Sequence, residues 1–100
     1  MTALKRVLWY LLGGTRGGPT RARILLALRE RPRNTNQLAE DLDLDYKTVQ
    51  HHLKVLRENR VLMRGGDGYG AIFLPSPEMD ESWELFEEIT AKVTGGTDDE

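Results

Sequence analysis

The residues best placed to do chemistry lie in one run, Tyr46-Lys47-Thr48-Val49-Gln50-His51-His52-Leu53-Lys54. At helical spacing Tyr46, Lys47, Gln50, His51 and Lys54 share one face, while Val49, His52, Leu53 and Leu56 share the other by steps of three and four. The first set is a hydrogen-bonding surface. Gln50 can pair bidentately with an adenine edge, Lys47 and Lys54 can reach phosphate or guanine, and Tyr46 can meet phosphate or a thymine methyl. Thr48 adds a hydroxyl at the same end of the run. The chemistry on offer is recognition of nucleic acid, and the plainer alternative is a solvated helix face. His52 falls on the apolar side and reads as a partly buried structural residue, which leaves His51 at the surface.

Other chemistries have weaker support. The paired histidines point about 100° apart on a helix, whereas a shared metal ion needs ligands three or four residues apart. Gly13-Gly14-Thr15-Arg16-Gly17-Gly18 is glycine-rich but lacks the strand before it and the Gly-Lys-Ser/Thr ending of a nucleotide loop, so it reads as a flexible joint from which Arg16 could touch a phosphate. No set of acid, base and nucleophile stands out, and with no cysteine there is no thiolate chemistry or disulfide scaffold. The expectation is a protein without cofactor or metal that is not an enzyme.

The net charge of -2 hides a division. Residues 1–64 hold thirteen Lys/Arg against six Asp/Glu, and residues 65–100 hold Lys92 against ten acids. Since attraction to phosphate is screened within about 10 Å, the basic surroundings of the 46–54 run matter more than the total.

Several elements must position that run. One hundred residues make about one domain with a modest core. Leu4, Val7, Leu8 and Leu11 predict a short amphipathic helix over 3–12, and with the glycine joint this forms an N-terminal unit, residues 1–18. A winged domain over 19–75 follows. Pro19 starts a helix whose apolar face is Ile24, Leu25 and Leu28, with Arg21, Arg23 and Arg29 assigned elsewhere and Arg21 taken as a phosphate contact; Pro32 stops it. Asn34 caps the next helix in a capping box with Gln37, Asp43-Leu44-Asp45 is a tight connection, and Asp45 caps the helix from Tyr46 to Asn59. Two strands around Gly65-Gly66-Asp67-Gly68 then form a wing, with Arg57, Arg60, Arg64 and Tyr69 as its candidate DNA contacts. The predicted fold is mainly α with a small β-hairpin, a three-helix core plus wing with extra helices at both ends.

The run Asn36-Gln37-Leu38-Ala39-Glu40-Asp41-Leu42-Asp43-Leu44-Asp45-Tyr46-Lys47-Thr48-Val49-Gln50-His51-His52-Leu53-Lys54-Val55-Leu56, followed by Asn59-Arg60-Val61-Leu62, resembles the ArsR-type winged helix-turn-helix regulators. Asp45-Tyr46-Lys47-Thr48-Val49 with His52-Leu53 is similar to small archaeal members. The resemblance covers about residues 20–74 and implies a homodimer that binds operator DNA through the second helix and the wing; the alternative reading of the chain is a winged-helix protein-interaction module in a larger assembly that does not bind DNA directly. The cysteine metal-sensing motif of the arsenic and cadmium sensors is absent, and no effector is indicated.

Pro77 starts a last helix running to about Val93, with Glu78, Glu81, Glu84, Glu87 and Glu88 on its polar side. Its stripe of Met79, Trp83, Phe86, Ile89 and Val93 is expected to form a dimer interface with Leu4, Leu8 and Leu11, giving a dimerisation unit over 76–94; packing back on its own domain is the alternative. Residues 95–100 read as a disordered acidic tail. Val7 to Leu12 is too short to cross a membrane, and with no cleavage pattern after it a cytoplasmic protein is expected.

Overall fold

Caps written in the sequence set the helix starts. The Asn34 side chain accepts from the Gln37 N–H at 2.8 Å while the Gln37 side chain accepts from the Asn34 N–H at 2.9 Å, the expected capping box. One Asp45 carboxylate oxygen accepts from the N–H groups of Lys47 and Thr48. Each such cap contributes about 1 kcal/mol and fixes the frame of the helix after it. The computed structural model describes residues 3–66 and 70–98. In order these form α1 (Ala3–Gly13), α2 (Gly18–Glu30), α3 (Thr35–Leu42), α4 (Tyr46–Glu58), β1 (Leu62–Gly65), β2 (Ile72–Pro75), α5 (Pro77–Asp80) and α6 (Trp83–Asp98).

The short α3, the Asp43–Asp45 connection and α4 are the predicted helix-turn-helix. Asp43 takes the left-handed conformation (φ 56°) that lets α3 end abruptly. Arg60 does the same after α4 (φ 64°) and turns the chain into β1. The two strands pair antiparallel, Leu62 with Pro75 through Gly65 with Ile72. One contiguous core holds α1, α2, α4 and α6 together, from Leu8, Ile24, Leu25, Leu28 and Leu38 through Val49, Leu53 and Leu56 to Phe86 and Ile89. The fold is a winged helix-turn-helix with additional helices at both ends.

The C-terminal helix departs from expectation in two ways. It is broken after Asp80, because the Ser82 hydroxyl donates to the Glu78 carbonyl and the Trp83 indole N–H donates to Asp80, which closes the short α5 before α6 begins. It also continues past Val93 to Asp98, so residues 95–98 are helical where a disordered tail was expected. Glycines 95 and 96 cost about 1 kcal/mol each in a helix but do not forbid it as a proline would.

The larger correction concerns what covers the apolar stripes. Leu8, Leu11, Met79, Phe86 and Ile89 are each at most 2% exposed within a single chain. α1 and α6 lie on each other, and Arg29 of α2 stacks over the Trp83 ring at 4.7 Å while pairing with Glu87. These side chains therefore fill the chain's own core and are not left for a second copy. Leu4 is half-buried at the edge of that layer, and Val93 is exposed. Periodicity identifies an apolar stripe but carries no information on which surface meets it.

The glycine-rich segment is equally unlike a loose tether. Only residues 14–17 separate α1 from α2, and a Cβ on Gly18 would fall 2.2 Å from the Leu12 carbonyl oxygen. Glycine is needed there because two backbones touch.

Candidate nucleic-acid interface

The buried side of α4 is Val49, His52, Leu53 and Leu56, the predicted locking set, so this helix has one rotational setting on the core. Its opposite face is thereby presented to solvent: Tyr46, Lys47, Thr48, Gln50, His51, Lys54 and Arg57 are all exposed. Across from it stands the hairpin. Arg64 of β1 pairs with Phe73 of β2, and since Phe73 is buried, the face they share looks inward toward α4.

Between them lies a groove of about 690 Å³, floored by Leu53, Ala71 and Phe73 and walled by Tyr46, Gln50, Lys54, Arg57 and Arg64. Its third wall is Asn34, Thr35 and Asn36, where α3 begins. By helix geometry the first N–H groups of α3 have no intrahelical acceptor, and the positive end of its dipole opens on the groove. This wall was not anticipated, because Asn34 already had a role as a cap. The available signal was that a helix start joined to α4 by one short helix and a tight turn must sit beside it.

Among the described residues the lining carries three cations and no carboxylate, so an anionic strand would meet only attraction and hydrogen-bond donors there. Of the α6 glutamates, Glu84, Glu87 and Glu88 are exposed, Glu87 pairs with Arg29 of α2, and none lines the groove.

The remaining predicted contacts divide. Lys47, Thr48 and His51 occupy the outer turn of α4, beside the groove but not in it. Arg16 is exposed on the α1–α2 joint, away from the groove. Arg60 lies in a separate hollow with Leu4, Val7, Glu58, Asn59 and Glu78, and its carbonyl accepts from the Ser76 hydroxyl. Tyr69 and Asp67 fall outside the described residues.

Arg21 is misplaced in the sequence reading. It is 6% exposed, and its guanidinium donates to the Leu11 carbonyl at 2.9 Å, to the Thr15 hydroxyl and to Nδ1 of His52 at 3.1 Å. A side chain so occupied cannot reach a phosphate. The signal was present: Arg21 precedes Ile24, Leu25 and Leu28 by three, four and seven residues and so sits on the apolar stripe of α2. Burial pushes the His52 imidazole below its ordinary range, with Arg21 and then His51 adding to the shift.

A second buried arginine was also missed. The backbone of Arg33 bridges that of Phe73, donating at 3.3 Å and accepting at 2.9 Å, which adds a one-residue third strand to the hairpin. Its side chain is held by Asp41 at 2.8 Å, by Glu30 and by the Ala27 carbonyl. A single residue in an irregular stretch has no periodicity to reveal it.

Fold and groove together define a winged helix-turn-helix with a basic concave face. Residues 18–62, from the first residue of α2 to the first of β1, match the family described as bacterial regulatory protein, arsR family. Among solved structures, Rv0081 of M. tuberculosis is 28% identical, with a TM-score of 0.69 over 94% of this chain and 92% of that one. A probable transcriptional regulator from Pseudomonas aeruginosa has 23% identity and a TM-score of 0.66 over 94% of this chain and 78% of its own. Reduced HlyU from Vibrio cholerae N16961 has 19% identity and a TM-score of 0.61 over 88% and 84%, and shares the fold. No curated protein matches the sequence. The neighbours named are bacterial and lend no support to an archaeal affinity. No helix among the described residues is long and apolar enough to cross a membrane.

Proposed function

We propose that the protein is a sequence-specific DNA-binding transcription regulator that acts as a homodimer in the cytoplasm. The observation that carries this reading is the groove between α4 and the wing, with Lys54, Arg57 and Arg64 on its walls and no carboxylate among its described residues. In this reading α4 enters the major groove with Gln50 and Lys47 at base edges. The DNA backbone runs between α4 and the hairpin, with Arg57, Arg64 and the α3 N-terminus on phosphates.

Two copies would pair through what α1 and α6 leave outside the core. Tyr10 is 64% exposed and Val93 40%, beside the half-buried Trp9. A two-fold dimer would set the reading helices about 34 Å apart, one turn of DNA. The match of residues 18–62 to the arsR family supports the assignment.

The test uses duplexes selected from fragmented genomic DNA by the purified protein. Gln50→Ala combined with Lys47→Ala should weaken binding to the selected sequence by roughly ten- to a hundredfold, as expected for about 1–3 kcal/mol of lost base contacts, and should leave the helical circular dichroism unchanged. Unaltered affinity in the folded double variant rejects α4 as the reading helix.

A further inference from the structure

The Arg21–His52 contact joins parts of the molecule that the proposed function keeps apart. Arg21 belongs to α2, the Leu11 carbonyl to the last turns of α1, Thr15 to the joint and His52 to α4, so one guanidinium ties α2 to the other three. A guanidinium only donates, so Nδ1 of His52 must present its lone pair, and the ring is neutral with its proton on Nε2. The joint closes over the pair: a Cβ on Gly17 would lie 2.6 Å from Arg21 Nη1 and 2.8 Å from His52 Cε1. The next residues along α4, His51 and Gln50, stand on the reading face.

We propose that Arg21 and His52 are a positioning pair for α4: neutral His52 lets Arg21 tie the reading helix to the end of α1 and the joint, and protonation of His52 breaks that tie and weakens DNA binding. This rests on α4 being the DNA-reading helix. Protonated Nδ1 would turn a hydrogen bond into a contact between two cations about 3.1 Å apart. The groups acting on the ring are Arg21 from α2 and His51 from α4; Tyr10 of α1 acts on Arg21, and the joint supplies the neutral Thr15. None of these is a carboxylate that would stabilise an imidazolium.

Burial and the neighbouring cations hold His52 below its unfolded value. The unfolded form, or one in which the Arg21–His52 pair is open, therefore takes up the proton first as pH falls. The tie is complete above the ordinary histidine range and is lost as pH drops through it. His51 acts in the opposite sense, since its protonation adds positive charge to the DNA-facing side, and it must be removed before the effect is read.

The experiment measures duplex affinity by fluorescence anisotropy from about pH 8 to about pH 5.5 at fixed ionic strength, in His51→Gln protein and in His51→Gln/His52→Asn protein. Asparagine keeps an acceptor, Oδ1, where Nδ1 stood. The first protein should lose affinity with falling pH, by up to about tenfold per unit for one proton taken up on release, and the second should show a flat profile. Parallel profiles overturn the proposal.

A second readout needs no DNA. Nuclear magnetic resonance of the natural chain should show His52 titrating below the ordinary histidine range, the Gln50 and His51 amides shifting along with it, and Arg21→Met returning His52 toward that range. A His52 titration indifferent to Arg21→Met also overturns the pair. Failure of the natural protein to bind any duplex at pH 8 would instead defeat the DNA reading, with the pair still decided by these shifts.

Discussion

Replacing Arg64 with alanine tests the groove as a phosphate cradle. Among the described residues three cations line it, and each phosphate neutralised contributes about -0.9 to the slope of log affinity against log salt. One copy then gives a slope near -2.7 and a dimer near -5.4, a loss of roughly 2,000-fold for the dimer between about 50 and 200 mM salt. Arg64→Ala removes one contact from each copy. The dimer slope should fall to about -3.6 and the loss over the same interval to roughly 150-fold. Because this term is independent of sequence, the assay can use a random duplex of about 30 base pairs, long enough for two half-sites one turn apart, with anisotropy read at several salt concentrations. Arg64 is exposed on the hairpin and has no place in the core, so the variant should unfold with the parent. A slope shallower than about -1 in the parent, or the parental slope in Arg64→Ala, would refute the reasoning.

Two stability measurements check the packing. Gly18→Ala must force a Cβ against the Leu12 carbonyl, where nothing flexible can give, and should cost at least about 2 kcal/mol, roughly 8 °C or more in Tm; Gly70→Ala, with open space around it, should leave Tm almost unchanged. Equal effects at the two sites would show that α1 does not abut the start of α2. Ile89→Val, at a position fully buried within one chain, should lower Tm by roughly 4–8 °C for a loss of about 1 kcal/mol and leave the sedimentation behaviour of the folded protein unaltered. A shift toward smaller species on dilution would mean that Ile89 meets a second copy after all.

What the sequence disclosed was what local rules govern. Helix period separated the two faces of α4, because Val49, His52, Leu53 and Leu56 recur at steps that only a buried stripe explains. Capping chemistry placed the starts of α3 and α4, because an Asn or Asp side chain bonds to backbone only two or three residues away. The misses are contacts between distant residues. Arg21 was read by its charge, which favours solvent, and Arg33 was not singled out at all, although partners 31 and 8 residues further along the chain make burial of each acceptable. The stripes of α1 and α6 were read correctly as apolar but assigned the wrong cover, since each turned out to be the other's partner.

The bridge between Arg33 and Phe73 bears on how the groove behaves as a mechanical object. A wing attached only through its two strands would be a flap, free to widen or narrow around whatever lay beneath it. Here its inner strand is stitched to the α2–α3 connection, and the residue that makes the stitch directly precedes the α3 start forming the third wall. The groove thus resembles a calliper locked at one gauge. On the proposed function, a duplex whose backbone spacing matches that gauge would be accepted at little cost, whereas any other would have to bend or twist to fit. Base steps that no side chain touches would then influence affinity through their stiffness, and Arg33, buried and remote from any base, would help decide which of them are tolerated.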